Sequence, residues 1–190
     1  MGNELIEKYA FEAVDLIRKK EVSSSELLKA SRDRHIEVDE QVNALPHTFY
    51  DMALTKAKNI NIDSEIPNEK SLLGLPIAVK DYNDVAGVPT TFGSKIFCNN
   101  IPSKSDSTIA RLEQNGALPV AKSNVPEWAG GHTFNPVYGV TKNPFDKNKI
   151  AGGSSGGSSV ALATKQVWLA TGNDLGGSLR TPASFNNIVG

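Results

Sequence analysis

The pattern of apolar and polar positions changes character along the chain. From Glu4 to Lys20, the residues Leu5, Tyr9, Ala13, Leu16 and Ile17 recur at helical spacing, which predicts one amphipathic helix. Ser23 and Glu26 form a capping box, in which hydroxyl and carboxylate satisfy each other's free backbone N–H groups; it predicts a second helix through about Ile36. His47 to Lys58 carries a weaker helical pattern, and the polar stretch Asn59 to Lys70 reads as an exposed connection. The texture then shifts. Leu75 to Val79 is a continuous apolar run, as expected of a strand buried on both faces. Ser105 or Asp106 is placed to cap a helix through Gln114, Gly116 is its stop, and Ala117 to Ala121 reads as the next strand. Strand, helix, strand in that order predicts a βαβ unit in a parallel or mixed sheet, and hence an α/β fold.

Beyond Lys122 the periodicity fades. Lys122 to Ile150 holds many Gly, Pro and Asn residues together with Trp128, Phe134, Tyr138 and Phe145, which suits a long ordered loop wall. A helix is expected to begin inside the cluster Gly152-Gly153-Ser154-Ser155-Gly156-Gly157-Ser158-Ser159 and to run through Ala163. Val167 to Ala170 is a short strand leading towards Gly176-Gly177-Ser178-Leu179-Arg180. The chain stops on the apolar segment Phe185 to Gly190, so it is expected to be an incomplete domain.

Composition narrows the classes. The 190 residues suffice for one domain or a piece of a larger one, and 20 basic against 21 acidic residues leave a net charge of −1. No basic footprint for nucleic acid or an anionic membrane results, so neither is expected as a direct partner. Cys98 is the sole cysteine, and no run nears the length that spans a bilayer, which suits a reducing, cytoplasmic setting. Met1-Gly2 resembles a myristoylation start, but Ile6 occupies the position that requires Ser or Thr.

The two glycine-serine clusters carry the candidate chemistry. Glycines beside a serine let backbone approach a substrate closely, so that hydroxyls and N–H groups converge. A serine nucleophile needs a base, yet His35, His47 and His132 all precede the clusters, which leaves Lys80 as the candidate. Other readings compete. A phosphate cradle lacks the lysine that should follow Gly157. Gly152 to Gly156 satisfies the G-x-S-x-G pattern of a nucleophile elbow, but Asp146 to Ile150 is not strand-like and no histidine follows. A flexible linker is disfavoured by the structured flanks. Lys80 by itself would ordinarily be a solvated strand-end lysine; as a base it must be neutral, through burial or nearby positive charge. Arg180 reads equally as a surface residue, Asp174 as a turn stabiliser and His132 as loop packing; no spacing suggests a metal site.

Taken together, Gly74-Leu75-Pro76-Ile77-Ala78-Val79-Lys80-Asp81, the Gly152 to Ser158 cluster and Asp174-Leu175-Gly176-Gly177-Ser178-Leu179-Arg180-Thr181-Pro182 resemble the amidase signature family, in order and spacing over about Leu72 to Gly190. The resemblance implies helices around a large mixed sheet, in a domain well over twice this length. Residues 1–70 would be its helical N-terminal region and 71–190 its signature core. It implies a Ser-Ser-Lys triad: Ser178 the nucleophile, Ser154 the bridging serine preceded by a cis peptide, Lys80 the base. The backbone N–H groups of Leu175, Gly176, Gly177 and Ser178 would form the oxyanion hole, with Ser155, Asp174, Arg180, Gly130 and Gly131 in supporting or substrate-binding places. No cofactor or metal is expected. Asn173 departs from the hydroxyl residue often found before the aspartate.

The substrate follows less directly. Val125-Pro126-Glu127-Trp128-Ala129-Gly130-Gly131 differs from the run usual in the A subunits of tRNA amidotransferases, while Asn135-Pro136-Val137-Tyr138-Gly139 and Asn143-Pro144-Phe145-Asp146 look more like the general amidases. A stand-alone amidase acting on a small linear amide is the preferred expectation, with a homodimer left open. An amidotransferase subunit is the runner-up, and an inactive fragment or non-catalytic binding protein a third reading.

Overall fold

The computed structural model describes residues 2–58 and 72–190; side chains are described from Glu4. The exposed connection expected at 59–70 lies outside the described residues. The N-terminal periodicity is divided between two helices, α1 (Gly2–Ile6) and α2 (Ala10–Arg18), where one was expected. The Glu12 carboxylate accepts from the Tyr9 N–H at 2.7 Å, restarting the helix, and Tyr9 lies out in solvent against the Phe11 ring. Ala13, Val14 and Ile17 turn inward.

Helix α3 (Ser24–Val42) opens on the expected capping box, with Glu26 N–H donating to Ser23 Oγ at 3.2 Å and Ser23 N–H to the Glu26 carboxylate at 2.8 Å. It runs past Ile36 because the polar turn ahead of the buried Val42 stays helical. Asn43 ends it in the left-handed region, at φ 54°, which asparagine tolerates. Strand β1 (His47–Thr48) then replaces the start of the expected helix, which survives as α4 (Tyr50–Ala57).

Strand β2 (Pro76–Lys80), helix α5 (Ser107–Gln114) and strand β3 (Leu118–Ser123) form the expected βαβ unit, with β2 and β3 parallel. Asp106 precedes α5 without a side-chain cap; its carboxylate accepts instead from Asn83 Nδ2 and Asp84 N–H, each at 3.1 Å. The ladder shifts register between Ile77 and Ala78, beside Pro119, which has no N–H to donate. Strands β4 (Phe134–Asn135) and β5 (Gly139–Val140) form a small hairpin within the loop wall. Helix α6 (Gly156–Ala163), strand β6 (Leu169–Ala170) and helix α7 (Arg180–Phe185) follow. The main sheet has the order β1-β3-β2-β6, parallel except for β1.

Both faces of this sheet are covered. Ile77 and Val79 pack with Val85, Val88, Ile109 and Ala117 on one side. Ala78, Leu118, Val120 and Ala121 pack with Leu28 and Val42 of α3, Ala53 of α4 and Val160 and Ala161 of α6 on the other. Burying each such aliphatic side chain contributes about 1.5 to 3 kcal/mol. Helix α6 fits this space because it is built from small residues: a Cβ on Gly157 would lie 2.6 Å from Asn124 O and 2.7 Å from Ala44 O. Its N-terminus thereby reaches the C-terminal ends of the parallel strands, where ligands of open α/β sheets bind.

Candidate active site

Lys80, the last residue of β2, is fully buried. Its amine makes three contacts, with Ser154 Oγ at 2.8 Å, Ser155 Oγ at 2.7 Å and Asn173 Oδ1 at 2.6 Å, and lies 5.0 Å from the centre of the Tyr82 ring. All three oxygens are neutral groups. Burial therefore prevails and pushes the Lys80 pKa down to about 8, the more distant Asp174 carboxylate opposing it. Such an amine is available as a base near neutral pH.

A lattice of hydroxyls holds the serines in place. Ser158 Oγ lies 2.6 Å from Ser123 Oγ at the end of β3 and donates to Thr171 O at 2.8 Å beyond β6. Thr171 in turn gives its N–H to Ala78 O and accepts from Lys80 N–H through Oγ1, both at 2.9 Å. The start of α6 is thus tied to three strand ends at once. The Gly153–Ser154 peptide is cis. A Cβ on Gly153 would lie 3.0 Å from His132 Cα and inside the Gly131 carbonyl, so Gly131 braces the turn that carries Ser154. Gly130 closes the 3-10 turn Glu127–Ala129 just ahead of it, its N–H donating to Glu127 O. These contacts hold the cluster in one ordered turn, which sets it apart from a flexible linker.

The second cluster forms an exposed loop organised by Asp174. One carboxylate oxygen accepts from Gly177 N–H at 2.7 Å; the other accepts from Leu179 and Arg180 N–H, each at 3.1 Å. Arg180 completes a two-pronged ion pair at 3.0 Å on each prong. This pair and these N–H groups hold the Asp174 carboxyl well below the usual carboxylate range. Asp174 thus stabilises the turn, and Arg180 serves it from the surface. Of the four N–H groups expected to face an oxyanion, those of Leu175, Gly176 and Ser178 have no partner among the described residues, whereas that of Gly177 is already given to Asp174. The Ser178 carbonyl accepts from Ser155 N–H at 3.0 Å, which fixes this loop to the lysine's serines; the Ser178 hydroxyl has no hydrogen bond among the described residues.

Three features near the site escaped the reading of the sequence. Asn173 is a direct partner of Lys80. Lys122 is a second fully buried lysine, 3.5 Å from Asp81 Oδ1 and bonded to Thr90 Oγ1 at 3.0 Å and to Asn83 O. The signal was present: Lys122 ends the apolar run of β3 as Lys80 ends that of β2. Finally, Tyr82, Phe92 and Trp128 stack, with centroids 6.1 and 5.4 Å apart, and Phe97 meets the latter two edge-on. Those rings are spread from Tyr82 to Trp128 in sequence, with no local periodicity to unite them. Trp128 sits at φ 52° and is 56% exposed, and the Tyr82 hydroxyl bridges Pro126 O and Ala129 N–H.

A buried lysine, a cis-linked serine and a glycine-rich serine loop are thus gathered at the C-terminal ends of the parallel strands β2 and β6. The Amidase family model matches residues 26–190, and the chain belongs to this family, within the amidase signature group. It is 39% identical over 188 residues to the A subunit of glutamyl-tRNA(Gln) amidotransferase from Maridesulfovibrio salexigens, an alignment covering 98% of this chain and 38% of that protein. Among solved structures it resembles fatty acid amide hydrolase, with a TM-score of 0.87, 28% identity and 96% of this chain and 32% of that one covered. It also resembles the A subunit of glutamyl-tRNA(Gln) amidotransferase from Thermotoga maritima, with a TM-score of 0.75, 29% identity and coverages of 95% and 37%. The chain thus spans less than two fifths of the length of the curated relative it matches. Among the described residues, no helix is long and apolar enough to cross a membrane.

Proposed function

We propose that this chain carries the triad of an amidohydrolase that cleaves a carboxylic amide through an acyl-enzyme on Ser178. The observation that carries the reading is the buried Lys80 amine 2.8 Å from Ser154 Oγ, with the Ser178 loop bonded to Ser155 beside it. Neutral Lys80 accepts the Ser154 proton while Ser154 accepts that of Ser178, whose oxygen attacks the amide carbonyl. The N–H groups of Leu175, Gly176 and Ser178 are free to meet the developing oxyanion, with Gly177 reoriented from Asp174 or left in the turn. The relay run backwards protonates the departing ammonia or amine, and water then releases the carboxylate. The chain is read as the N-terminal part of one amidase domain, 1–70 its helical region and 71–190 its signature core.

Two substrates fit this chemistry. The higher TM-score with fatty acid amide hydrolase favours a stand-alone amidase; the 39% identity with the A subunit of an amidotransferase favours release of ammonia from glutamine within a larger assembly. Ammonia release from a panel of small amides that includes glutamine separates them. Turnover of simple amides that is lost in Ser178→Ala supports the first, and turnover confined to glutamine supports the second. Hydrolysis undiminished in Ser178→Ala would refute both.

A further inference from the structure

The three partners of the Lys80 amine are chemically unequal, and the inequality fixes the direction of its protons. A neutral primary amine offers two N–H donors and one lone pair, whereas an ammonium offers three donors. Asn173 Oδ1, 2.6 Å away, has no hydrogen of its own, so an N–H must face it. Ser155 Oγ, 2.7 Å away, has an outlet for its hydrogen in the Asn173 main-chain carbonyl at 3.5 Å, and so presents a lone pair to the amine as well. Ser154 Oγ has no partner but Lys80 among the described residues. Its hydrogen is the one left to meet the amine's lone pair.

We propose that Asn173, acting through both of its oxygens, is a positioning residue that turns the lone pair of neutral Lys80 onto Ser154 and away from Ser155, and so selects the serine that relays the proton. The proposal rests on reading Lys80 as the base. It assigns a role to the residue at which this chain departs from the expected hydroxyl. The charged surroundings leave Asn173 as the adjustable contact. Asp174, paired with Arg180, lies on the same loop; Asp81 and Lys122, from the ends of β2 and β3, are paired with each other; and α6 and β6 contribute no ionisable side chain.

The test is the rate at which a fluorophosphonate labels Ser178, measured across pH for wild type and variants, since this probe needs no known substrate. Asn173→Leu removes one of the three acceptors an ammonium requires. It should slow labelling by about tenfold or more and move the acid limb to lower pH. Asn173→Asp, nearly isosteric, places a carboxylate on the amine and should move the limb upward by about one pH unit or more. Asn173→Thr restores an acceptor and should recover most of the rate. Ser154→Ala should slow labelling far more than Ser155→Ala, and that gap should narrow in part in the Asn173→Leu background, where the amine loses the Oδ1 acceptor that orients it while Ser155 keeps the main-chain carbonyl as its outlet. A limb unmoved in both the Leu and Asp variants, with the serine gap unchanged, would overturn the proposal and leave Asn173 a packing residue. Should Leu fail to fold, the Asp and Thr variants decide by the same criterion. Labelling of Lys80→Ala at the wild-type rate would instead refute the base assignment itself.

Discussion

Two buried lysines, Lys80 as the last residue of β2 and Lys122 as the last but one of β3, stand on neighbouring parallel strands of one sheet, and both are sealed from solvent. Lys122 faces a carboxylate, Asp81, which itself accepts from Thr91 N–H at 3.2 Å and from the Thr91 hydroxyl. Burial draws Lys122 down and Asp81 up, and their mutual attraction opposes both shifts. Lys80 faces two hydroxyls and an amide, and no carboxylate touches it. Identical side chains one register position apart on neighbouring strands thus meet opposite surroundings, one in an ion pair with a carboxylate and the other among neutral acceptors, as the proposed base requires. What a buried lysine does is decided by whether the fold supplies it with a countercharge.

The contrast is broken most sharply by the same substitution at each site. Lys80→Met keeps the stem and removes the base, and Ser178 labelling should fall by about 100-fold or more while the denaturation midpoint changes little. Lys122→Met leaves Asp81 buried without its partner. It should destabilise the fold by about 3 to 5 kcal/mol, seen in denaturant melts, and Asp81→Asn in the same chain should recover part of that loss. Equal effects of the two substitutions on both readouts would abolish the distinction.

A second test bears on what holds the serines against Lys80. Gly157→Ala drives a methyl into Asn124 and Ala44 and should cost about 1 to 3 kcal/mol of stability in thermal or denaturant melts. Because the clash displaces the start of α6, labelling should fall with it. A variant as stable and as reactive as wild type would mean that α6 sits further from β3.

The smallest effect is the pH response. With a folded pKa of about 8, Lys80 must lose its proton to act, so labelling should fall as pH drops through that value. The linkage has a definite sign: the folded pKa lies below the unfolded value, the unfolded chain binds more protons between the two, and stability gained from Lys80 rises with pH across that window. Lys80→Met should flatten this rise in pH-dependent melts, whereas a rise of unchanged size would remove Lys80 as its source.

Local rules carried much of the fold. The Ser23–Glu26 box, the apolar run of β2 and the Asp106-to-Gly116 helix are set by neighbours within a turn or two, and each lies where the sequence puts it to within a few residues. Strand β1 was not legible, because His47 and Thr48 become a strand only by pairing with Lys122 and Ala121 far along the chain. The division of the first helix was hidden as well, since the apolar spacing continues across the break while Tyr9 points outward. In the site, the motifs singled out Lys80, Ser154 and Ser178, and the fold brings Lys80 against Ser154 and ties the Ser178 loop to Ser155, whereas the contacts of Asn173 and Lys122 depend on what folding brings beside them.

The most direct test of the assignment is the intact mass of the protein after exposure to a fluorophosphonate, comparing wild type with Ser178→Ala and Lys80→Ala. The Ser178 mechanism requires a single adduct that maps to Ser178, is absent from Ser178→Ala and forms far more slowly in Lys80→Ala. Folded wild type that takes up no label, or a label on Ser154 or Ser155 indifferent to Lys80, would contradict it.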